Sequence, residues 1–108
     1  MAFNLVPRPE KLTELYFNTV DLPDTVTANQ EIHFAFVIHN LETTNYQYTY
    51  VVLVNTHGMR HIIDHGTVVV QNNQYYIKNV KFHLAQSSEK QNVIVELTNK
   101  QQSIDFWI

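Results

Sequence analysis

Residues 31–40, EIHFAFVIHN, constrain the fold more than any other stretch. Ile32, Phe34, Phe36 and Ile38 fall on one side of an extended chain, and His33, Ala35, Val37 and His39 on the other. A period of two is what a pleated strand produces, with the heavier face turned to a second layer. A helix would scatter these apolar residues around its axis, and the aromatic and β-branched content also favours strand. The stretch therefore reads as the central strand of a two-layer β fold.

The same period recurs along the chain. Lys11 to Asn18 alternates with Leu15 and Phe17 as its inner face, and Tyr46 to Val54 with Tyr48, Tyr50 and Val52 inward. Thr67 to Gln71 reads as a short strand. Tyr75 to Leu84 turns Val80, Phe82 and Leu84 inward, while Ile77 falls out of phase and predicts a bulge or break near Asn79. Asn92 to Thr98 buries Val93, Val95 and Leu97; Ser103 to Ile108 buries Ile104, Phe106 and Ile108 and leaves Trp107 on the opposite side. Asp21 to Asp24, Asn40 to Asn45, Gln71 to Gln74 and Asn99 to Gln102 are polar turns, and Thr25 to Ala28 is a short edge segment. Asn55 to Gly66 reads as an irregular connection, freed at Gly58 and Gly66 and anchored by Ile62 and Ile63.

About seven strands separated by polar turns predict an immunoglobulin-like, two-layer antiparallel β-sandwich over 11–108. A small closed barrel is the rival architecture. Pro7 and Pro9 hold 1–10 extended, as a lead-in or linker.

A chain of 108 residues is one domain that can bury a core without staples, and it has no cysteine for a disulfide, thiolate site or thiol nucleophile. Seven Lys and Arg against ten Asp and Glu give a formal charge of -3. The basic residues stand singly, which argues against nucleic acid as a partner. No secretory pattern is visible, and no apolar run approaches the roughly 18 residues that cross a bilayer. Direct membrane insertion is not expected; the chain is either cytoplasmic or a soluble part of a longer protein.

The runs NQEIHFAFVIHNLETTNYQYTYVV and NVIVELTNKQQSIDFWI carry a resemblance. A strand running into an Asn (Val37 to Asn40), a tyrosine-bearing next strand (Tyr46 to Val52) and an aromatic closing segment (Asp105 to Ile108) resemble the C-terminal Ig-like domain of an uncharacterised prokaryotic membrane-protein family, domain-of-unknown-function group 1616. Leu12 to Asn18 resembles that group's first strand. Phe106 stands where the family usually has Leu, and Asn/Gln-rich turns replace its glycine-rich ones. The resemblance implies an extracytoplasmic module of the cell-adhesion or spacer type, tethered by transmembrane helices this sequence lacks, and implies no catalytic residues.

Of the chemistry-bearing residues, His57, His61, Asp64 and His65 form the one candidate metal set. Imidazole and carboxylate suit zinc, and a spacing of four would align the histidines on a helical turn. Gly58 and the two isoleucines work against that helix, so ordinary loop residues are the favoured reading and no cofactor is expected. Ser87 or Ser88 with His83 and Asp64 lacks a nucleophile elbow; Glu10 and Glu14 lie on extended chain and give no paired-carboxylate geometry. His33 and His39 read as solvated. Tyr46, Tyr48, Tyr50, Tyr75 and Tyr76 read as core with hydroxyls at the rim, or alternatively as a platform for a glycan. Trp107, with Tyr46, Val37 and Ile94 if they prove coplanar, would make an apolar patch for dimerisation or for a protein partner. The expectation is a noncatalytic cell-surface interaction or spacer domain; the alternatives are a carbohydrate-binding module and a metal-binding domain built on His57 to His65.

Overall fold

The computed structural model describes residues 11–18, 22–23, 30–85, 87 and 89–108. The lead-in at 1–10 and the edge segment Thr25 to Ala28 lie outside the described residues. Seven strands follow in order: β1 (Leu12–Phe17), β2 (Gln30–Leu41), β3 (Tyr46–Thr56), β4 (Met59–Val70), β5 (Tyr75–Leu84), β6 (Asn92–Leu97) and β7 (Gln102–Trp107). They form a three-stranded sheet, β1-β2-β5, and a four-stranded sheet, β4-β3-β6-β7, in which every pairing is antiparallel. The fold is an immunoglobulin-like two-layer β-sandwich. β1 meets β7 along one side of it and β5 meets β4 along the other.

The phenylalanine face of β2 is the floor of the core: Ile32, Phe34, Phe36 and Ile38 pack against Tyr48, Tyr50, Val52 and Val54 of β3 and Val93, Val95 and Leu97 of β6. Phe36, Ile38, Val93 and Val95 are wholly buried. Phe106 and Ile108 close the layer, with Ile104 half-buried beside them. Burial of so many large side chains, each contributing roughly 1.5–3 kcal/mol, holds the two sheets together without covalent help.

Two expectations need correcting. Asn55 to Gly66 is not an irregular connection: β3 and β4 form a long hairpin turning at His57 and Gly58, both with positive φ (52° and 78°). The period was hidden because Met59 to Ile62 are all exposed, so no buried face marks the strand. A bulge between Val52 and Leu53 also leaves Ile63 without a partner and shifts the phase. Ile63 packs on the core as expected, but Ile62 is 65% exposed. The bulge foreseen near Asn79 is absent, since β2 and β5 pair without a break from Gln30–Leu84 to His39–Tyr75. Tyr76 and Lys78 share the inner side with Val80; Tyr76 lays its ring on the core, and the Lys78 amine reaches Asp64 at 3.7 Å. Long amphipathic side chains can line an apolar face and still keep their tips wet, so Ile77 is the outward residue.

Candidate functional site

Strand geometry decides the fate of the histidine set. His57 sits on the hairpin turn, His61 near the start of β4, and Asp64 and His65 beyond the bulge. At about 3.3 Å per residue, a spacing of four places successive histidines about 13 Å apart along the chain. Two of the four have separate partners: His57 Nδ1 lies 3.0 Å from Glu89, and Asp64 faces Lys78. Among the described residues no three His, Asp or Glu side chains are grouped to hold a metal ion. Ser87 Oγ accepts the Glu89 amide at 3.3 Å, a turn role, while Ser88 and Glu10 lie outside the described residues.

The interaction set is likewise divided. Trp107 is 57% exposed on the outer face of the four-stranded sheet, and Ile94 is half-buried on the same face, one pair along from it (Asn92↔Trp107, Ile94↔Asp105). Tyr46 lies on the inner side, against the core. Val37 is 2% exposed in the other sheet. The four are not coplanar, because β2 and β6 belong to different layers. Tyr48 and Tyr50 are buried, as the core reading requires.

Cross-strand register reveals a surface that alternation within single strands did not. On the outer face of the three-stranded sheet, Tyr16, Val37 and Ile77 stand in one row across β1, β2 and β5. Tyr16 is 41% and Ile77 54% exposed, and Val37 is covered between them. The adjacent row is Glu14, His39 and Tyr75. His39 is not solvated as its alternation suggested: its ring stacks on Tyr75 at 3.9 Å and 12°, and its Nδ1 lies 2.7 Å from Glu14 Oε1. Leu12, opposite Leu41, extends the apolar ground. The outer face of the other sheet is closed differently. Arg60 of β4 reaches Glu96 of β6 at 2.9 Å, and in the register the line between them crosses β3 at Leu53, which is 2% exposed despite pointing outward.

A second cluster lies at one end of the sandwich. Glu42 and Thr13, both buried, meet at 2.5 Å, and Lys100 binds the same carboxylate oxygen at 2.9 Å. A carboxylate only accepts, so the Thr13 proton goes to Glu42 and the Tyr48 hydroxyl, 2.8 Å away, donates to Thr13. The hydrogen bond from Thr13, then that from Lys100, holds the Glu42 carboxyl below its usual range. Its bond to Glu42 raises the Lys100 amine, and burial raises the Tyr48 phenol. Lys100 also lies 4.9 Å over the Tyr46 ring. Beside them Asn40, fully buried, donates to the carbonyls of Thr44 and Val70 and accepts the Glu42 amide, each at 2.8 Å. Every polar group in this cluster is matched to another; among the described residues no buried side-chain nitrogen or oxygen lacks a partner. The arrangement clamps β2, β4 and the β6–β7 turn together and leaves no free base, acid or nucleophile. The neighbouring cleft of about 280 Å³ is shallow and lined by Glu96, Leu97, Thr98, Gln101, Gln102 and Ser103; its only carboxylate is tied to Arg60.

No family model and no curated protein matches the chain. Solved structures do. A β-glucosidase from Listeria innocua superposes with a TM-score of 0.69 at 15% identity, over 91% of this chain and 16% of that one. A β-glucosidase from Kluyveromyces marxianus gives 0.63 at 13%, over 91% and 14%. The CARDB domain of the PF1109 protein from Pyrococcus furiosus, solved with di-metal ions, gives 0.64 at 14%, over 93% of this chain and 91% of that one. The likeness is one of fold. This chain spans about a sixth of the Listeria enzyme but nearly the whole CARDB domain, so the same sandwich occurs both as one part of a large enzyme and as a domain by itself.

Proposed function

We propose that the chain is a noncatalytic interaction or spacer module of a longer protein at the cell surface, and that it meets its partner with the outer face of the β1-β2-β5 sheet. The observation that carries this is the row Tyr16, Val37, Ile77 with Tyr75 and Leu12 around it, four of the five well exposed. Contiguous apolar ground with a polar rim is the surface signature of a docking site. The fold supports the modular reading, since equivalent sandwiches serve as parts of larger chains. The extracytoplasmic location rests on the resemblance of the Asn29 to Val52 and Asn92 to Ile108 stretches to the membrane-protein family.

These 108 residues contain no cysteine, so thiols introduced into them report on this module alone once any cysteine elsewhere in the polypeptide is replaced by serine. In the natural full-length polypeptide, Ser103→Cys on the outer face of β7 and Asn79→Cys beside Ile77 are labelled on whole cells with a membrane-impermeant maleimide. Ser103→Cys should label fully and Asn79→Cys should be protected. Labelling of Ser103→Cys only after lysis would refute the surface location, and equal labelling of both would refute an occupied face.

A further inference from the structure

We propose that the outer face of the four-stranded sheet carries a second binding site, centred on Trp107, for a neutral oligosaccharide of equatorially linked pyranose rings. It lies across the core from the β1-β2-β5 face and stands on separate observations.

The register places four side chains in one row on this face, one from each strand: Arg60 of β4, Asn55 of β3, Asn92 of β6 and Trp107 of β7. With strands about 4.8 Å apart the row is about 14 Å long, close to the length of a trisaccharide. One end is an indole 57% exposed and the other a guanidinium 57% exposed, with two half-buried amides between them. The Asn92 nitrogen donates to Asp105 Oδ2 at 2.9 Å and to the Phe106 carbonyl at 3.1 Å, an orientation assigned from those partners. Its carbonyl oxygen is left as an acceptor. Asp105 itself is exposed beside Trp107, and among the described residues no side chain holds the Asn55 amide. Arg60 gives one terminal nitrogen to Glu96 at 2.9 Å, and a guanidinium has further N–H donors to spend on a ligand.

A pyranose with equatorial substituents is apolar above and below its ring, where C–H groups lie, and polar around its edge, where hydroxyls both donate and accept. A rigid apolar plate flanked by amides, a carboxylate and a guanidinium answers both surfaces. The charges favour a neutral ligand: Arg60 is balanced by Glu96, and Asp105 faces an amide. A protein partner fits this face less well. Its apolar row, Ile62, Leu53 and Ile94, is crossed at Leu53 by the Arg60–Glu96 pair, whereas Tyr16, Val37 and Ile77 run unbroken on the opposite sheet. Contiguous apolar ground marks a protein interface; a single plate among polar groups suits one ring stacked on it. An open platform covers only one side of the sugar, so the binding is weak and fast. Ser103, two register pairs from the Trp107 row, stays clear of it.

Trp107 is the one tryptophan of the 108 residues, so indole emission reports on this site alone. Titration with cellotriose and, separately, with triacetylchitotriose should give a saturable change in that emission with at least one of them, in the millimolar range. Maltotriose, whose axial linkages bend it away from a straight row, should bind more weakly. Saturation-transfer NMR reads the sugar and needs no tryptophan; its signal should vanish in Trp107→Ala and persist in Ile77→Lys on the opposite face. Asp105→Ala and Arg60→Ala should each weaken binding about tenfold, as loss of a hydrogen bond to a charged group does. No saturable change with either sugar, a change that maltotriose or glycerol reproduces equally, or saturation transfer that survives Trp107→Ala would each overturn the site. Emission that shifts with chain concentration and not with sugar would also overturn it, and would assign the face to contact between proteins.

Discussion

The two ends of this sandwich are built on opposite principles. At one, Phe17, Phe34, Phe82 and Phe106 meet edge to face, with ring centroids 5.3–6.3 Å apart; at the other, Thr13, Asn40, Glu42, Tyr48 and Lys100 meet through hydrogen bonds and an ion pair. The aromatic end gains from any close packing of rings and tolerates small shifts in angle. The polar end gains little over water unless every group is matched, and loses several kcal/mol when one is not. One end supplies adhesion between the layers; the other fixes their register, because Asn40 of β2 can reach Val70 of β4 in only one alignment.

The sharpest break is at the aromatic end. Phe34→Ala removes the ring that Phe17, Phe82 and Phe106 all touch, and should cost about 3–5 kcal/mol through transfer and cavity together. Chemical denaturation should show an earlier midpoint with an unchanged slope. Glu42→Gln at the other end keeps the shape but takes the charge from between Thr13 and Lys100. The loss should be about 2 kcal/mol, in the range of hydrogen bonds to charged groups, since Lys100 is partly wet and needs no full replacement.

Acid should separate the ends further. The Glu42 carboxyl is held below its ordinary value when folded, so its stabilisation is fully present above about pH 4.5 and is lost as pH falls from there through the folded value. The gap between the native chain and Glu42→Gln should close below that pH, while the Phe34→Ala deficit stays constant. Alkali acts elsewhere: burial, with the bond to Tyr76 adding to it, pushes the Tyr50 phenol to about 12. Stability from that group is present below about pH 10 and falls between there and 12, which a pH series of thermal melts would show.

The difference between the ends also explains what could be read from the sequence. The phenylalanines write their burial into a period of two, and the inner faces of β2, β6 and β7 were legible in the sequence, while the outer face of β2, where Ala35, Val37 and His39 are also buried, was not. Glu42 and Lys100 lie in the polar turns NLETTN and NKQQ, where charged residues are ordinarily solvated. Nothing local reveals that the folded chain brings them to 2.9 Å. The outer face failed to show for a related reason: Tyr16, Val37 and Ile77 are apolar outliers in three separate strands and become one row only through pairing. In β4 only the second half, from Thr67, could be read as strand; Met59 to Ile62 are exposed throughout and offer no buried side to keep time with.

The smallest effect bears most directly on why the polar end is kept. Tyr48→Phe preserves a fully buried ring and its contact with Tyr46 at 4.8 Å, and deletes only the hydroxyl that donates to Thr13. Thr13→Val preserves volume and deletes the acceptor for that hydroxyl together with the donor to Glu42. If the bonds act as a chain, the Tyr48 proton polarises Thr13 and strengthens its bond to the carboxylate. The single Tyr48→Phe change should then cost about 1 kcal/mol, and the cost should nearly vanish in a Thr13→Val background. Independent bonds would leave the two losses additive. A coupling near the whole cost of the hydroxyl would show that the end works as one unit, assembled or not. It would also show why Asn40, Glu42 and Lys100 set the alignment of the layers more strictly than the rings at the far end.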